Sequence, residues 1–480
     1  MSRLVRFALI LLLALGALAA ALYASVAPPA PLELPPQGAV LDDVTLIRPG
    51  EGREAHRRVV VSGGAIERIE AAGEGGPFAG MYVLPGLNDL HAHFPPASPL
   101  GQTELFAFLF LYHGVTGVRD AGDVDGTATE PLVRGVAGGH FPGPRVAACG
   151  MFVDAGPPLW KNTLQARNPA EGRAAVETLA ARGFACVKAY NGLDAETLAA
   201  IRDAAHARGL PVIGHVPRAI PYEVARLDDV QHFTGVPPAA DPALRFPLSL
   251  RAWDGLDAAR LETVIAESLR SNIANTPTLV VLDRMIASED PERVTAEPDV
   301  LLLPRMYRDV VWSPREPTSV TSRLQPEDFA MLRRVLAAEK QTLRAMAERG
   351  VRLRTGTDTL VAFVVPGASL HRELRLWVDA GLSPEQALAA SMRESATALG
   401  TPGLGELRAG APAELVIFRE DPTRSLDALD SLAGVVRDGR LHTREALDAQ
   451  LARYRAHFDA PLYDALVTPV VRRMLARTRG

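Results

Sequence analysis

The stretch Tyr82-Val83-Leu84-Pro85-Gly86-Leu87-Asn88-Asp89-Leu90-His91-Ala92-His93-Phe94 decides how the fold of this chain is interpreted. An apolar run leads through Pro-Gly into two histidines two positions apart. Residues i and i+2 of a β-strand point to the same face, so His91 and His93 would direct both imidazoles to one place. Neutral imidazole nitrogens are ligands that zinc prefers. The pair alone is a weak signal, because histidines on a strand face are often structural.

Composition sets broad limits on the fold and the partners. The chain has 480 residues, of which 48% are hydrophobic and 22% charged, and this composition indicates a globular protein with a large core. Its length accommodates a (β/α)₈ barrel of roughly 250 residues and a smaller unit. The net charge of −5 gives no indication of a nucleic-acid partner. Cys149 and Cys186 lie in separate apolar segments without zinc-ligand spacing, and we expect buried free thiols.

The N-terminus has the pattern of a targeting segment. Arg3 and Arg6 precede an uncharged stretch from Phe7 to Ala27. Its length suits a membrane-spanning helix of ~20 residues and exceeds the ~7–15 apolar residues of a signal-peptide core. The arginines favour retention of this end in the cytoplasm and export of the rest. We therefore expect a single-pass anchor with the body outside the cytoplasm. The alternative is a signal peptide cleaved after Ala21 or Ala24, which would leave a secreted or periplasmic protein.

The body alternates strand-like and helix-like segments. Eight short apolar runs, separated by segments such as Ala195–Arg208 and Pro384–Ala398, predict a (β/α)₈ TIM-type barrel. The runs are the one before His91, Val115–Arg119, Arg145–Ala148, Ala185–Ala189, Pro211–Gly214, Asp229–His232, Asn275–Leu282 and Val351–Thr355. Strand and turn patterns at both ends of the body predict a small β-sandwich that is built from the two ends together.

These patterns predict six consecutive parts of the chain. They are a signal anchor or signal peptide (1–27), a proline-rich extended linker (28–38), the N-terminal part of the β-sandwich (39–82), the barrel (83–403), the C-terminal part of the β-sandwich (404–441) and a helical extension (442–480). Residues 283–350 separate the seventh and eighth predicted strands, and we expect them to form an inserted helical excursion or lid.

Polar residues fall at the ends of several predicted barrel strands. In such barrels, functional side chains project from the carboxyl ends of the strands. His91 and His93 follow the first strand, and the fourth strand carries a lysine within an apolar run. Two more strands end on histidine and the eighth ends on aspartate. The residues at these four later strands are Lys188, His215, His232 and Asp358. Their conjunction predicts a metal site.

With these residues the chain resembles the amidohydrolase superfamily, in its imidazolonepropionase-like and prolidase-like (Xaa-Pro dipeptidase-like) branch. The resemblance extends from residue 39 to about 440. Gln231 and Glu414 depart from the pattern, since many relatives carry Glu and Asp there. The matching segments are Leu84–His93, Gly114–Asp120, Gly143–Arg145, Val187-Lys188, Gly214-His215, Gln231-His232, Thr355–Asp358 and Gly410–Val416.

The resemblance implies a binuclear metal centre and a hydrolytic reaction. His91, His93 and Asp358 would bind the more buried of two divalent ions, with zinc expected, and His215 and His232 the more exposed one. Lys188, carbamylated by CO₂, would bridge them. A metal-bridging hydroxide would attack an amide-type C–N bond, with Asp358 as general base and then general acid.

Lysine usage agrees with a special role for Lys188. An ordinary lysine, with a pKa of about 10.4, is a cation and would repel a metal ion. The chain has three lysines, at positions 161, 188 and 340, against 48 arginines. Arginine stays protonated and could not take up CO₂. The alternative is a buried lysine paired with an acidic group.

The substrate and two rival functions stay open. A dipeptide or an N-acyl amino acid is expected from the resemblance alone. Tyr190 shares the face of Lys188 and could touch substrate, and Arg218 could bind a substrate carboxylate unless it is merely an exposed loop residue. A mononuclear deaminase or a cyclic-amide hydrolase on the same barrel is one alternative. Relatives that are mononuclear deaminases usually lack the fourth-strand lysine and carry an acidic residue shortly after the fifth-strand histidine, where this chain has Val216-Pro217-Arg218. An exported non-catalytic binding protein is the rival of another class. The sequence allows a homo-oligomer without indicating one.

Overall fold

The computed structural model describes residues 3–98, 100–239, 241, 243, 246–317, 319 and 321–477. Its first element is a helix, α1, at Arg3–Val26. Within it Val5–Val26 is long and apolar enough to cross a membrane, with a mean hydropathy of 2.5, and it is not buried by the rest of the protein. The expectation of an N-terminal apolar helix is confirmed, and the choice between anchor and signal peptide stays a prediction.

Sixteen β-strands lie within the described residues, and most of those in the body are only three to six residues long. In chain order they are β1 Ala39–Arg48, β2 Gly52–Ser62, β3 Ala65–Ala71, β4 Tyr82–Pro85, β5 Leu87–Ala92, β6 Val115–Asp120, β7 Arg145–Ala148, β8 Phe152–Asp154, β9 Thr163–Gln165, β10 Val187–Ala189, β11 Val212–Gly214, β12 Asp229–Gln231, β13 Ala274–Thr276, β14 Leu415–Phe418, β15 Leu432–Arg437 and β16 Arg440–Thr443.

Helices follow most of the parallel strands and dominate the C-terminus. Asparagine, aspartate, serine or threonine side chains cap several of them, as at Asn168 before α4 and Asp194 before α5. The helices after α1 are α2 Gln102–Tyr112, α3 Thr129–Ala137, α4 Pro169–Ala181, α5 Ala195–Ala207, α6 Tyr222–Ala225, α7 Ala258–Arg270, α8 Val280–Ala287, α9 Pro291–Thr295, α10 Pro326–Glu348, α11 Ala368–Asp379, α12 Pro384–Ala389, α13 Ser395–Thr397, α14 Arg444–Phe458 and α15 Pro461–Arg477.

Both ends of the body contribute to one seven-stranded sheet in the order β16-β15-β14-β4-β1-β2-β3. The prediction that the two ends form one β unit is thus correct. The strands form a single continuous sheet, however, where a sandwich of separate sheets was expected. Backbone bonds from Ile66 to Ala411 and from Ala413 to Gly64 join its β3 end to the segment that precedes β14. The sheet therefore curls around its own apolar cluster.

The remaining strands form two parallel sheets, β5-β6-β7 and β9-β8-β10-β11-β12-β13. Backbone hydrogen bonds connect these sheets into a ring. Ala185 N donates to Ala148 O at 2.7 Å, and Asn275 N donates to Arg352 O at 2.9 Å. Leu90 N donates to Thr355 O at 2.8 Å and so returns the ring to β5. Eight segments therefore follow one another in the predicted barrel order, although the eighth is not a regular strand.

Two predicted strands differ in detail from the structure. The eighth run pairs through a single bridge between Asn275 and Leu353. The seventh run was predicted over 275–282, but β13 ends at Thr276 and α8 begins at Val280. Pro277 has no N–H to donate to a neighbouring strand, and Thr278 has a φ of 55°, so the chain turns there. The prediction of a helical insertion over 283–350 agrees with α8, α9 and α10.

The two cysteines form a disulfide, so the expectation of free thiols was wrong. Cys149 follows β7 and Cys186 precedes β10, and the two segments are neighbours in the ring. Their Cα atoms are 4.5 Å apart. A separation of 37 residues along the chain hides this adjacency from sequence inspection. Disulfides are typical of exported proteins, which agrees with the expected compartment.

The proline-rich linker is extended but lies against the body. Pro28 packs so closely on Gly101 that a Cβ at Gly101 would lie 2.4 Å from the proline ring. Gln450 Nε2 donates to Ala30 O at 3.1 Å. The C-terminal end of α1 is therefore held next to the loop between β5 and α2.

Candidate metal centre

Three of the predicted ligands meet where β5 ends. His91 lies in β5, His93 directly follows it, and Asp358 lies in the loop after the eighth segment. The backbone N of Asp358, which has a φ of 60°, donates to His91 O at 2.6 Å. Nε2 of His91 and Nε2 of His93 are each 3.2 Å from Asp358 Oδ1. One ligand atom from each of the three residues lies within 4.8 Å of the other two.

The other three predicted ligands lie beside this triad. The ring of His232 is 4.4 Å from that of His91, and its Nε2 is 3.8 Å from Asp358 Oδ2. The ring of His215 is 5.0 Å from that of His232. Lys188 is buried in β10, and its Nζ donates to Gln231 Oε1. All six residues thus lie at one end of the barrel strands; we call them the upper cluster.

Neighbouring groups fix the orientation of three of the imidazoles. His93 Nδ1 donates to Gly122 O at 2.6 Å, and His215 Nδ1 donates to Asn191 Oδ1 at 3.0 Å. His232 Nδ1 is 2.6 Å from Thr278 Oγ1. A proton on Nδ1 leaves Nε2 with a free lone pair, as in metal-bound histidines. The sequence did not predict the roles of these three partners. Asn191 lies next to Tyr190, which was named as a candidate, but no sequence pattern marks Gly122 or Thr278.

The electrostatics of the upper cluster favour a cation. Burial lowers the pKa of His91 and His215 well below the usual value, and that of His232 to about 4. Burial alone would raise the pKa of the Asp358 carboxyl, but the adjacent His91 and His232 outweigh it and hold that pKa well below its usual range. Neutral imidazoles and an ionised carboxylate supply lone pairs without a matching cation. His91 Nδ1 also has no hydrogen-bond partner among the described residues. These donors fit a divalent metal ion.

Lys188 differs from an ordinary lysine. Burial, its largest influence, lowers the pKa of its ammonium group to about 7, and the charge of Arg119 acts in the same direction. A large fraction of this amine is therefore neutral near pH 7. Its observed partner is the uncharged Gln231, so the alternative of a direct ion pair with an acidic group does not describe this contact.

Aromatic residues form one wall beside the upper cluster. The ring of Tyr190 lies 4.4 Å from that of His215, and its hydroxyl accepts a hydrogen bond from Trp160 Nε1 at 3.3 Å. The Phe152 ring stacks between His93, at 6.1 Å, and Trp160, at 5.9 Å. Sequence reasoning singled out Tyr190 and missed Phe152 and Trp160, because no local pattern indicates that β8 lies beside the site.

Arg218 lies on the loop after β11, beside this wall. It is partly exposed, and its backbone N donates to Asn191 O at 3.0 Å. Its charge partly offsets the effect of burial, which raises the pKa of Asp154. Its position leaves both predicted roles open, as a carboxylate-binding residue and as a loop residue.

A second buried polar group is formed by residues of β6, β12, β13 and the eighth segment, and we call it the lower cluster. It consists of Arg119, Asp229, Thr276 and Arg354. Asp229 Oδ2 accepts from Arg119 Nη2 at 2.7 Å and from Arg354 Nη1 at 3.2 Å. Thr276 Oγ1 donates to Asp229 Oδ1 at 2.8 Å. Here acceptors are matched by donors within the protein.

Comparisons with known proteins identify the family of this chain. The profile of the amidohydrolase family matches residues 82–442. Among solved structures, a bottromycin amidohydrolase is 27% identical, with a TM-score of 0.71, covering 91% of this chain and 93% of its own. A putative prolidase from Bifidobacterium longum is 22% identical, with a TM-score of 0.62 and coverage of 87% and 99%. A Xaa-Pro dipeptidase solved with bound methionine is 18% identical, with a TM-score of 0.62 and coverage of 85% and 100%. Among curated proteins, no sequence matches this chain.

Proposed function

This chain belongs to the amidohydrolase family, and we propose that it is a binuclear metal-dependent hydrolase that cleaves amide-type C–N bonds outside the cytoplasm. The observation that carries the proposal is the convergence of ligand atoms from His91, His93 and Asp358 within 4.8 Å. Imidazole nitrogens and an ionised carboxylate that converge on one point are the donor set that a divalent cation binds.

The six residues of the upper cluster would hold two ions. His91, His93 and Asp358 would bind the more buried one, and His215 and His232 the more exposed one. Lys188, as its carbamate, would bind both. Formation of a carbamate requires a neutral amine, which the lowered pKa of Lys188 supplies near neutral pH. When bound, the ions would lower the pKa of a water molecule and polarise the substrate carbonyl.

Asp358 would move the proton. Its carboxylate is ionised, and its side chain is 16% exposed, so it can be reached from the open end of the site. It would accept the proton of the attacking water and deliver it to the departing amine. No side-chain nucleophile is required for this reaction.

For the substrate we propose a dipeptide or an N-acyl amino acid. Support comes from the structural neighbours described as a prolidase and a Xaa-Pro dipeptidase, although these resemble the chain in fold alone. The Tyr190 hydroxyl would contact the substrate from the aromatic wall, and Arg218 would meet its carboxylate. Helix α1 would anchor the enzyme in the membrane.

The metal content per chain tests the proposal. The full chain is purified in detergent, without chelator and with bicarbonate, and its metals are measured. We expect two ions, with fewer after Lys188→Ala. Lys340→Ala is the matched control, since Lys340 lies at the surface and pairs with Asp379 at 3.6 Å.

Two results would contradict the proposal. One ion that is unaffected by Lys188→Ala would favour a mononuclear deaminase or cyclic-amide hydrolase. No bound metal, even after zinc or manganese is supplied, would favour the non-catalytic binding protein.

A further inference from the structure

We propose that the C-terminal helix α15 is a second contact with the lipid bilayer, beside α1, and that it holds the metal-centre end of the barrel at the membrane surface. Apolar residues recur every fourth position along α15, at Leu462, Leu466, Val470 and Met474. Residues at this spacing share one face of a helix. Three of these side chains are strongly exposed, by 55% at Leu462, 53% at Val470 and 62% at Met474.

The N-terminal half of α15 packs against the body. Tyr463 and Val467 are buried, and the Tyr463 hydroxyl accepts a hydrogen bond from Gln102 Nε2 at 3.0 Å. Residues seven positions apart share a helix face, so Val470 and Met474 continue the side of α15 on which Tyr463 and Val467 are buried. The stripe is therefore an apolar side of an anchored helix that extends past the body, and exposure of such a surface to water is unfavourable.

The position of α15 next to α1 indicates what covers the stripe. The two helices pack against each other, and Val26 of α1 and Val471 of α15 both pack on the main core. Because α1 has the length and hydropathy of a membrane span, an exposed apolar face beside it is placed to meet the same bilayer. Arg473 lies between Val470 and Met474 and is exposed, and an arginine at such a position suits anionic lipid headgroups. The neighbouring Arg472 is held by an ion pair with Glu316 at 2.6 Å.

This contact would lie at the metal-centre end of the barrel. Helix α15 packs against the helical turn Tyr307–Val311 of the inserted segment. A series of aromatic contacts leads from this turn toward Asp358. The rings of Tyr307 and Trp312 are 5.0 Å apart, and those of Trp312 and Phe363 are 5.9 Å apart. Phe363 follows the candidate ligand Asp358 by five residues. The linker also places the end of α1 at this end of the barrel, because Pro28 packs on Gly101 in the loop that follows His93.

Depth measurements on the full chain in vesicles test this surface. A single cysteine replaces Met474, and the matched control replaces Leu269, which is 44% exposed in the last turn of α7, at the amino end of β13. The native cysteines are paired and buried, so they do not react with a thiol probe. A third variant, Leu12→Cys in α1, reports on the anchor itself. Each carries an environment-sensitive fluorophore in vesicles of phosphatidylcholine and phosphatidylglycerol with acyl-chain nitroxide lipids.

We expect most of the fluorescence to be lost at positions 12 and 474, with blue-shifted emission, and little loss at position 269. Quenching at position 12 without quenching at 474 would overturn the proposal, as would equal quenching at 474 and 269. Absence of quenching at position 12 would remove the anchor, and the proposal with it. The result does not depend on the proposed hydrolysis, because the probes report position and not turnover.

Discussion

The barrel contains two buried clusters of charged and polar side chains that differ in how their hydrogen-bonding groups are matched. In the lower cluster Asp229 is surrounded by donors from Arg119, Arg354 and Thr276. In the upper cluster Nε2 of His91 and Nε2 of His93 face the same carboxylate oxygen, and burial lowers the pKa of His91 and of the adjacent His232. In the first arrangement the carboxylate is matched by donors from the protein, and the second arrangement has the donor set of a cation site.

The difference shows that burial of charge is not by itself evidence of function. Buried ion pairs with matched donors perturb pKa values just as active sites do. What separates the upper cluster is an excess of lone pairs together with side chains that are partly exposed, 11% for His93 and 21% for His232. The predictions below test this distinction, since substitutions in the upper cluster should change metal binding and turnover, and substitutions in the lower cluster should change stability.

The largest effect is expected for Asp358→Asn. This change keeps an oxygen ligand but removes the proton acceptor, so hydrolysis should fall by a factor on the order of 10²–10⁴, the usual contribution of general acid–base catalysis. Metal content should stay unchanged. Steady-state turnover of a dipeptide panel and metal analysis of the same samples measure both. Unaffected turnover would show that Asp358 is not the general base.

Next is Asp229→Asn in the lower cluster. The loss of this carboxylate leaves the buried Arg119 without a counter-charge and leaves Arg354 only Glu394, 3.4 Å away. Removal of one partner of a buried pair costs about 3–5 kcal/mol. Denaturant unfolding should show that loss in the free energy of unfolding. The control is Asp254→Asn, whose pair with Arg334 at 3.4 Å is half-exposed, and it should change stability by less than about 1 kcal/mol. Similar stability in the two variants would contradict a structural role for Asp229.

A smaller effect is expected for Asn191→Ala and Thr278→Val. Each removes a group that orients a histidine of the upper cluster. Substitution of a group that orients a metal-binding histidine typically lowers metal affinity by about 10–100-fold. Competition with a chelator measures the affinity. Thr234→Val is a control on the loop that carries His232, since Thr234 bonds backbone atoms only. Equal affinities in all three variants would mean that the orientation of these rings does not matter.

The smallest effect concerns pH. In the metal-free protein the pKa of His232 is about 4, below its ordinary value of 6.5. The unfolded chain therefore takes up a proton first as the pH falls, so the folded state loses stability from pH 6.5 down to about 4. Between pH 7 and pH 5 this group accounts for up to about 2 kcal/mol.

Unfolding measurements at these two pH values, with chelator present, should show a smaller loss in His232→Gln than in the native chain. The surface variant His56→Gln should keep the native loss. If His232→Gln also keeps it, the acid sensitivity arises elsewhere.

The order of the barrel and the members of the upper cluster could be predicted from sequence because both depend on local patterns. The alternation of apolar runs and helices identified the segments that the ring contains. His91 and His93 lie at the end of β5, and His215 and His232 directly follow β11 and β12, as expected from the rule that functional residues follow barrel strands. Three features were not predictable in this way. They are the disulfide between Cys149 and Cys186, the early end of the strand predicted over Asn275–Leu282, and the single sheet in place of a β-sandwich.

The sequence by itself determined the family, the apolar N-terminal helix and which residue types gather at the strand ends, because strand periodicity and motif order are local properties. Only the tertiary structure decided which distant residues touch. It paired Cys149 with Cys186, placed Phe152 and Trp160 beside the upper cluster and supplied partners for Asp229. It also folded the linker and α15 onto the end of the barrel that carries the upper cluster. These contacts join residues far apart in the chain, and their energies come from packing and desolvation that no local pattern contains.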